Sequence, residues 1–302
     1  MTAISESSGN PTADKRFELA QMFIERRDLE AAADLMRQAL ELAPEWAECR
    51  FTLAETLMLM GHKDEAITAF QAYLRLDPAD SMGAHAKLVI LGAAPSTAEL
   101  PPAYVERLFD QYATGFEKAL TERLRYTAPQ QLRESIKARR GKTPLARALD
   151  LGCGTGLMGA ALHGMVGSLD GVDLSAPMLA EARRKNIYAN LIHGDMRTAM
   201  AGKLTHYDLI VAADVFVYVG DIAPIIIAAF EALTPGGLLA FTVQALSGDG
   251  YGLGEDQRFS HSEAYLNSVL AAFCNVEITP GSFRRDRARD VPGFLVLAET
   301  PA

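Results

Sequence analysis

The stretch that decides the fold is Ala148–Gly159, with the sequence ALDLGCGTGLMG. Its apolar first half predicts a buried strand, after which Gly152, Gly154 and Gly156 let the backbone turn tightly and approach a ligand with no β-carbon in the way. The helix that follows would point its free backbone N–H groups at that ligand. The spacing Gly154-x-Gly156-x-x-Gly159 also fits the dinucleotide fingerprint, so this loop alone leaves the ligand open.

From residue 145 onward, apolar segments alternate with helical ones. The apolar segments include SLDGVDLS, ANLIHGDM, YDLIVAADV and GLLAFTVQAL, and the helical ones include APMLAEARRKN and DIAPIIIAAFEALTPG. This alternation predicts an α/β fold in which a parallel sheet carries helices on both faces. Ligands of such sheets bind outside the carboxyl ends of the strands.

Three carboxylates fall at three successive predicted strand ends: Asp150, Asp173 and Asp195. Asp150 lies just before the glycine loop, where it would repel a pyrophosphate and attract an ammonium group. Asp173, 17 residues after Gly156, suits a carboxylate that accepts from both hydroxyls of a ribose. Asp195 could accept from an exocyclic amine. The set predicts a ligand with ammonium, ribose and amine donors.

These residues resemble those of the class I S-adenosylmethionine-dependent methyltransferases. The matching pieces are LDLGCGTG, GVDLSAPMLAEAR, HGDM and YDLIVAADVFVYVGD, and the resemblance covers roughly residues 104–302. It implies a Rossmann-like seven-stranded sheet whose last strand is antiparallel, with VEITPG and GFLVLAE as the closing pair around SFRRDRARDVP. It also implies S-adenosyl-L-methionine as the cofactor and methyl transfer as the reaction.

The same resemblance assigns cofactor contacts to particular residues. The glycine loop would cradle the methionine moiety, Asp173 would hold the ribose, and Asp214 would lie near the methionine end. Leu174 and Met178 would flank the adenosine, and Asp195 with Met196 would hold the adenine. The predicted cofactor-binding residues are therefore Asp150, Gly152, Cys153, Gly154, Gly156, Asp173, Leu174, Met178, Asp195, Met196 and Asp214, with Tyr112 and Phe116 from the segment described next.

The segment YVERLFDQYATGFEKALTERLRYTAPQQLRESIKARRG reads as helical and ends at Gly141. Phe109, Tyr112, Ala113 and Phe116 recur at intervals of three and four, which gives the helix one aromatic-rich face. That face either packs in a core or forms a lid that keeps water from the neighbouring site. The motif FDQYATGFEKALTERLRY resembles a bacterial subgroup that joins tetratricopeptide repeats to a methyltransferase domain, and this resemblance favours the lid.

Candidate catalytic residues follow two strands. Asp214 and Tyr218 come after the fourth strand, and His261, after the fifth, has an ordinary pKa suited to a general base. Alternatively, Ser260 and Glu263 form a capping box, and His261 is only a first-turn residue of the next helix. An acceptor that ionises easily would need no base. The segment after the fifth strand also offers Tyr251, Arg258 and Tyr265 as candidates. Arg258, Arg284 and Arg285 either pair with an anionic acceptor or face solvent.

The amino-terminal part of the chain contains a repeat at an offset of 34 residues. The copy AECRFTLAETLMLMGHKDEAITAFQAYLRLDPAD resembles the tetratricopeptide repeat, with Gly61 in its turn and Pro78 after its second helix. The first copy has Arg27 where the turn glycine is expected. A partial third unit, SMGAHAKLVILG, would cap the stack. The repeats either bind a partner or shield apolar surface, and so short a stack predicts support from the rest of the chain or from a second subunit.

We therefore expect three parts: a tetratricopeptide-repeat domain over residues 1–94, a linker and helical lid over 95–144, and a cofactor-binding domain over 145–302. The linker, GAAPSTAELPPAYV, is rich in alanine, proline and small polar residues.

The composition of the chain limits the classes of partner and location that we expect. Thirty-eight acids against 29 bases give a net charge of −9, which disfavours nucleic acid. No apolar run reaches the ~18 residues of a membrane helix, and the amino terminus has no secretory pattern. The three cysteines lie far apart, which fits a reducing, cytoplasmic location, and no cysteine or histidine spacing suggests a metal site.

The sequence thus predicts a cytoplasmic S-adenosylmethionine-dependent methyltransferase with a small-molecule acceptor and repeats that bind a partner or form a homodimer. One alternative is a protein methyltransferase whose repeats deliver the substrate. Another is a scaffold that binds S-adenosylmethionine without catalysis, and a third is a nicotinamide dehydrogenase, which Asp150 and the HGDM segment disfavour.

Overall fold

The computed structural model describes residues 7–112, 117, 125–141, 143–286 and 289–302. The chain divides into two compact units. One contains the residues up to Ser96 together with Pro101–Tyr104, and the other contains Thr97–Leu100 together with Val105 onward.

The first unit consists of antiparallel helix pairs built around small residues. Its helices are α1 (Pro11–Glu25), α2 (Leu29–Leu42), α3 (Ala47–Leu59), α4 (Lys63–Leu76) and α5 (Ala84–Ile90). Asn10 caps α1 and Asp28 caps α2, because their side-chain oxygens accept from backbone N–H groups of the first turn. Buried alanines let paired helices approach closely, and these include Ala13, Ala20, Ala32, Ala33, Ala39, Ala54 and Ala66.

The turns inside the two pairs have the same backbone shape although their sequences differ. Gly61 has a φ of +80°, and Arg27, one repeat earlier, has a φ of +65°. Both are in the left-handed region, which is favourable for glycine and costly for other residues. The repeat geometry therefore persists at Arg27 at some cost in local backbone energy.

The second unit is a sheet covered on both faces by helices. Its strands are β1 (Leu145–Leu151), β2 (Val166–Asp173), β3 (Asn190–His193), β4 (Tyr207–Ala212), β5 (Leu233–Ala245), β6 (Tyr251–Leu253), β7 (Phe259–His261), β8 (Cys274–Asp286) and β9 (Arg289–Glu299). The parallel order is β3-β2-β1-β4-β5. Strand β9 then pairs antiparallel with β5, and β8 pairs antiparallel with β9. This is the predicted Rossmann-like seven-stranded arrangement, which the structure confirms.

The remaining helices are α6 (Pro102–Tyr112), α7 (Ala128–Arg140), α8 (Leu157–Leu162), α9 (Ala176–Arg184), α10 (Met196–Met200), α11 (Ala223–Ala232) and α12 (Glu263–Val269). Consecutive residues of β4 face opposite sides, as a pleated strand requires. Leu209 packs in a cluster with α7 and α8, whereas Ile210 packs in a second cluster with α11 and α12. Because the sheet is buried on both faces, its carboxyl edge is the place where polar groups gather.

Several local expectations were wrong. The segment up to Gly141 is not one helix, since residues Arg125–Thr127 interrupt it and Arg125 has a φ of +46°. The closing hairpin is longer than expected, because SFRR and DVP continue β8 and β9 instead of forming a loop. A short antiparallel pair, β6–β7, was not predicted, and β7 joins the end of β5.

The predicted capping box was also wrong. Ser260 belongs to β7, where it pairs with the end of β5. Helix α12 is capped instead by Ser262, whose hydroxyl accepts from the N–H of Tyr265 at 3.1 Å. The reason is that Phe259–His261 continues as a strand, so the helix begins two residues later than the pattern suggests.

Candidate functional site

The glycine loop after β1 contains three residues with left-handed backbone conformation. Gly152, Gly154 and Gly156 have φ values of +62°, +53° and +90°. A β-carbon at Gly152 would lie 2.7 Å from a methyl carbon of Val215, so this position is also closed by packing. A β-carbon at Gly154 would meet nothing within 4 Å. Gly154 therefore presents bare backbone to open space, as a ligand-binding loop requires.

Asp173, at the end of β2, holds this loop in place. One carboxylate oxygen accepts from the N–H of Gly154 at 2.8 Å, and the other accepts from the N–H of Ser175 at 2.9 Å. Burial raises the pKa of the Asp173 carboxyl, and the two amide hydrogen bonds oppose that rise. Each oxygen keeps a second lone pair, so the group could also accept from a ligand hydroxyl.

Asp150 points away from solvent and has a partner that the sequence did not suggest. Its side chain is 1% exposed, and it accepts from the hydroxyl of Tyr188 at 2.7 Å. Burial raises the pKa of Asp150 to about 7, which the Tyr188 hydrogen bond partly opposes. Cys153 is buried in the same region, and burial raises the pKa of its thiol.

The residues expected around the adenosine lie at the ends of β2 and β3. Asp195 caps α10 and accepts from both the N–H and the side-chain Nε of Arg197, at 2.8 and 3.1 Å. Leu174 is partly exposed, and its carbonyl contacts His193 at 2.8 Å. Met196 is partly buried at the start of α10. Met178 is fully buried in α9, and its contact with the adenosine stays a prediction.

Residues 97–100 and 105–112, which belong to the same unit as the sheet, contact residues at its carboxyl edge. The carbonyl of Ala98 accepts from the N–H groups of Gly220 and Asp221, each at 2.7 Å. Asp110, on α6, accepts from the hydroxyl of Ser175 at 2.6 Å, next to Asp173. These bonds join Ala98 and Asp110 to the residues that follow β4 and β2.

The aromatic residues of this segment have different environments. Phe109 packs edge-on against Tyr218, with ring centroids 5.4 Å apart. Tyr112 is 55% exposed, and its contact with the cofactor stays a prediction. Ala113 and Phe116 lie outside the described residues.

A second polar cluster lies at the ends of β4 and β5. Asp214 has a φ of +59° and pairs with Arg284 of β8 at 2.5 Å. The other branch of Arg284 donates to the amide oxygen of Gln244 at 2.7 Å. Burial raises the pKa of the Asp214 carboxyl, and Arg284 and Arg258 oppose the rise. The side-chain hydroxyl of Tyr126 donates to the carbonyl of Ala213 at 3.1 Å.

The three arginines that could face an anionic acceptor differ. Arg284 is 5% exposed and paired, and Arg285 forms an ion pair with Asp290 at 2.6 Å. Arg258 is partly buried, and within the described ranges its guanidinium donates no hydrogen bond. Although burial lowers the pKa of Arg258, attraction to nearby groups, Tyr218 and Asp214 first, leaves it raised. Arg258 is therefore the guanidinium best placed to accept a new partner.

His261 has the environment of a buried structural residue. It is 0% exposed, and its Nε2 lies 3.0 and 2.9 Å from the carbonyls of Val219 and Gly220. Two acceptors at one nitrogen place the proton on Nε2. Burial lowers the pKa of His261 to about 4. A general base must come within hydrogen-bonding distance of the proton that it removes from the methyl acceptor. The buried environment of His261 therefore disfavours its predicted catalytic role, which stays untested.

Within the part of the chain that the structure describes, no three His, Cys, Asp or Glu side chains group as a possible metal site. Over the same residues, no helix combines the length and apolar character needed to cross a bilayer.

Fold and site together define a sheet with a glycine loop and a neighbouring carboxylate at its carboxyl edge. Comparison with known families identifies that class. The methyltransferase domain family matches residues 148–237, and the tetratricopeptide repeat family matches residues 23–88. The chain therefore contains tetratricopeptide repeats and a methyltransferase domain, which confirms the resemblance. Such a domain uses S-adenosylmethionine as its methyl donor.

Individual relatives match only parts of the chain. A dTDP-3-amino-3,6-dideoxy-alpha-D-glucopyranose N,N-dimethyltransferase of Streptomyces fradiae is 46% identical over 65 residues, covering 22% of this chain and 26% of the relative. A malonyl-[acyl-carrier protein] O-methyltransferase of Enterobacter lignolyticus is 30% identical over 112 residues, covering 37% and 44%. The match thus spans less than half the length of either curated relative.

Among solved structures, phosphoethanolamine N-methyltransferase 2 of Haemonchus contortus is 16% identical with a TM-score of 0.48. The alignment covers 57% of this chain and 53% of that one.

Proposed function

We propose that this protein transfers a methyl group from S-adenosylmethionine to a small-molecule acceptor. The observation that carries the proposal is the hydrogen bond between Gly154 and Asp173, which holds bare backbone beside a carboxylate at the edge of the sheet. A sulfonium is an activated methyl donor, so the protein's task is to align the acceptor and exclude water. Orientation of this kind can contribute ~7–11 kcal/mol.

In this proposal the cofactor lies along the ends of β1, β2 and β3. The loop from Gly152 to Gly156 takes the methionine moiety, Asp173 accepts from the ribose, and Asp195 with Met196 takes the adenine. Asp195 keeps free lone pairs despite its bonds to Arg197. Residues 97–100 and 105–112, which are hydrogen-bonded to residues at this edge, would restrict the entry of water.

The acceptor site is proposed near Asp214 and Tyr218, with Arg258 as the group that recognises an acidic substituent. The guanidinium of Arg258 is partly buried and uses none of its five N–H donors within the described ranges. The names of the two curated relatives fit this idea, since a dTDP-sugar and a malonyl group are both acidic. If the methylated atom must lose a proton, Tyr218 or Asp214 is the proposed base, a contribution of ~10²–10⁴-fold.

The cofactor proposal is tested by binding of S-adenosylhomocysteine to the full chain, measured by calorimetry and by the shift in melting temperature. We expect binding by the wild type, no binding of NAD, and a large loss of affinity in Asp173→Asn. The control is Asp208→Asn, since Asp208 also accepts from two backbone amides, of Ala146 and Arg147, at the opposite end of β1. Stabilisation by NAD alone would reject the proposal, and equal affinity in both variants would reject the role of Asp173.

For the repeats we propose a partner-binding or dimerisation role in a cytoplasmic protein. Sedimentation at several concentrations separates the two, because a homodimer dissociates on dilution and a partner-binding monomer does not change mass. A protein acceptor delivered by the repeats is the second possibility, supported by the presence of the repeat family in the chain. Labelled methyl groups recovered in protein instead of small molecules would favour it.

A further inference from the structure

Tyr188, between α9 and β3, occupies a space that three glycines leave open. A β-carbon at Gly159 would lie 2.6 Å from the Tyr188 Cζ, and one at Gly171 would lie 2.9 Å from Cε1. A β-carbon at Gly156 would lie 3.0 Å from Cε2. These glycines belong to the loop, to α8 and to β2, so three separate elements converge on one aromatic ring.

The hydroxyl of Tyr188 forms a hydrogen bond to the strand that leads into the loop. It donates to Asp150 at 2.7 Å, and Asp150 lies in β1, two residues before Gly152. The Asp150 carboxylate is nearly inaccessible, so loss of this donor would leave a buried acceptor poorly satisfied. One side chain therefore contacts the loop at its entry through Asp150 and at its exit through Gly156 and Gly159.

A tyrosine that only fills a core would not need this combination. Tyr207 provides the comparison within the same sheet, because its hydroxyl donates to Asp170 at 3.1 Å while its ring is fully buried. Glycines do not surround the Tyr207 ring, since no glycine in the described residues has it among its nearest neighbours. The convergence of three glycines thus distinguishes Tyr188 from Tyr207.

We propose that Tyr188 is a positioning residue for cofactor binding, whose ring sets the curvature of the Gly152–Gly159 loop and whose hydroxyl fixes the Asp150 carboxylate beneath it. This inference rests on the proposed function, because it assumes that the loop binds S-adenosylmethionine. Its contribution is to affinity for the cofactor and not to the transfer step.

The test compares Tyr188→Phe with Tyr207→Phe in the full chain, using calorimetric affinity for S-adenosylhomocysteine. Both changes delete one hydroxyl that donates to a carboxylate. We expect Tyr188→Phe to weaken binding by about tenfold or more, and Tyr207→Phe to leave it unchanged. Gly159→Ala keeps Tyr188 but places a methyl group against its hydroxyl oxygen and Cζ, so it should weaken binding as well.

The pH dependence of affinity for S-adenosylhomocysteine provides a second measurement, which would not change if Tyr188 had only a structural role. The groups that act on Asp150 are Tyr188, Asp173 and the backbone N–H of Gly159, with Cys153 and Tyr126 also within electrostatic range. Because the Tyr188 hydrogen bond favours the ionised carboxylate, its loss raises the pKa of Asp150 further. The pH at which affinity for S-adenosylhomocysteine changes should therefore move upward in Tyr188→Phe and stay in place in Tyr207→Phe.

The outcomes separate the two proposals. If the wild type does not bind S-adenosylhomocysteine, the proposed function fails, whatever Tyr188 does. If the wild type binds and both Tyr188→Phe and Gly159→Ala retain its affinity and pH profile, the positioning role of Tyr188 is overturned. Should Tyr188→Phe fail to fold, Gly159→Ala alone decides the question in the same way.

Discussion

The guanidinium of Arg284 and the carboxylate of Asp214 form an ion pair at 2.5 Å, although 70 residues separate them in the chain. Arg284 extends from β8, Asp214 follows β4, and the second branch of the guanidinium reaches Gln244 on β5. The pair thus joins three strands at the edge where an acceptor would bind. It also holds Asp214 in a left-handed conformation that costs a non-glycine residue about 1–2 kcal/mol.

Removal of Arg284 should be far more costly than removal of its neighbour. Arg284→Ala leaves a poorly accessible carboxylate without its cation, for which we expect a loss of about 3–5 kcal/mol in the free energy of unfolding. Arg285→Ala, which breaks an exposed pair with Asp290, should cost about 0–1 kcal/mol. Urea unfolding followed by circular dichroism measures both. Similar losses in the two variants would show that the buried pair has no special role.

Asp150 should make the protein less stable as the pH rises. Its pKa is raised from 3.8 to about 7, so between these values the folded state holds a proton that the unfolded state has released. Stability contributed by this group is complete below pH 3.8 and is lost by about pH 7, with a total of at most about 4 kcal/mol. Asp150→Asn removes this term and can still accept from Tyr188.

The measurement is the difference in unfolding free energy between Asp150→Asn and the wild type at several pH values from 4 to 8. This difference should move in favour of the variant with increasing pH. A constant difference would mean that Asp150 ionises normally in the folded protein.

His261 should have the opposite effect on the pH dependence of stability, over much of the same pH range as Asp150. Its pKa is lowered from 6.5 to about 4, so the unfolded state binds the proton first as the pH falls. Its contribution is present above pH 6.5 and is lost toward pH 4, with a total of at most about 3 kcal/mol. His261→Gln keeps a donor for the carbonyls of Val219 and Gly220 and removes the titration.

Relative to the wild type, His261→Gln should therefore gain stability as the pH is lowered from 7 to 4, the reverse of Asp150→Asn. Thermal unfolding of the two variants in the same buffers gives this comparison directly. If the His261→Gln difference does not vary with pH, the imidazole is accessible in the folded state and a role as base regains support.

The sequence predicted the parts of the site that depend on residue type at a strand end. A glycine-rich turn after β1 and an acid at the end of β2 need no knowledge of distant contacts, and the structure joins them through Gly154 and Asp173. The alternation of strands and helices likewise predicted the layered sheet. Strands β6 and β7, in contrast, were not predicted. Each has three residues, which is too short to show the two-residue alternation of apolar and polar side chains typical of a strand.

The parts that sequence reasoning missed depend on contacts between distant residues. Tyr188 lies 38 residues after Asp150 in an irregular segment, where neither periodicity nor a motif marks it. The burial of Arg284 follows from the continuation of β8 through SFRR, a polar stretch that reads as a loop. The fastening of Ala98 to Gly220 and Asp221 likewise uses backbone groups, which carry no signal in the sequence.

The two repeat turns allow a matched test of backbone strain, because Arg27 and Gly61 share a left-handed conformation. Gly61→Ala should destabilise the helical unit by about 1 kcal/mol through strain alone, since a β-carbon there would meet nothing within 4 Å. Arg27→Gly relieves the strain at Arg27 but adds unfolded-state entropy, so we expect a net gain of about 0.5–1 kcal/mol. Trp46, the one tryptophan of the chain, is 7% exposed, and its ring centroid lies 4.7 Å from that of Phe17. Its fluorescence therefore reports unfolding of this unit. If Arg27→Gly lowers stability as much as Gly61→Ala does, the arginine side chain stabilises its turn by more than the backbone strain costs.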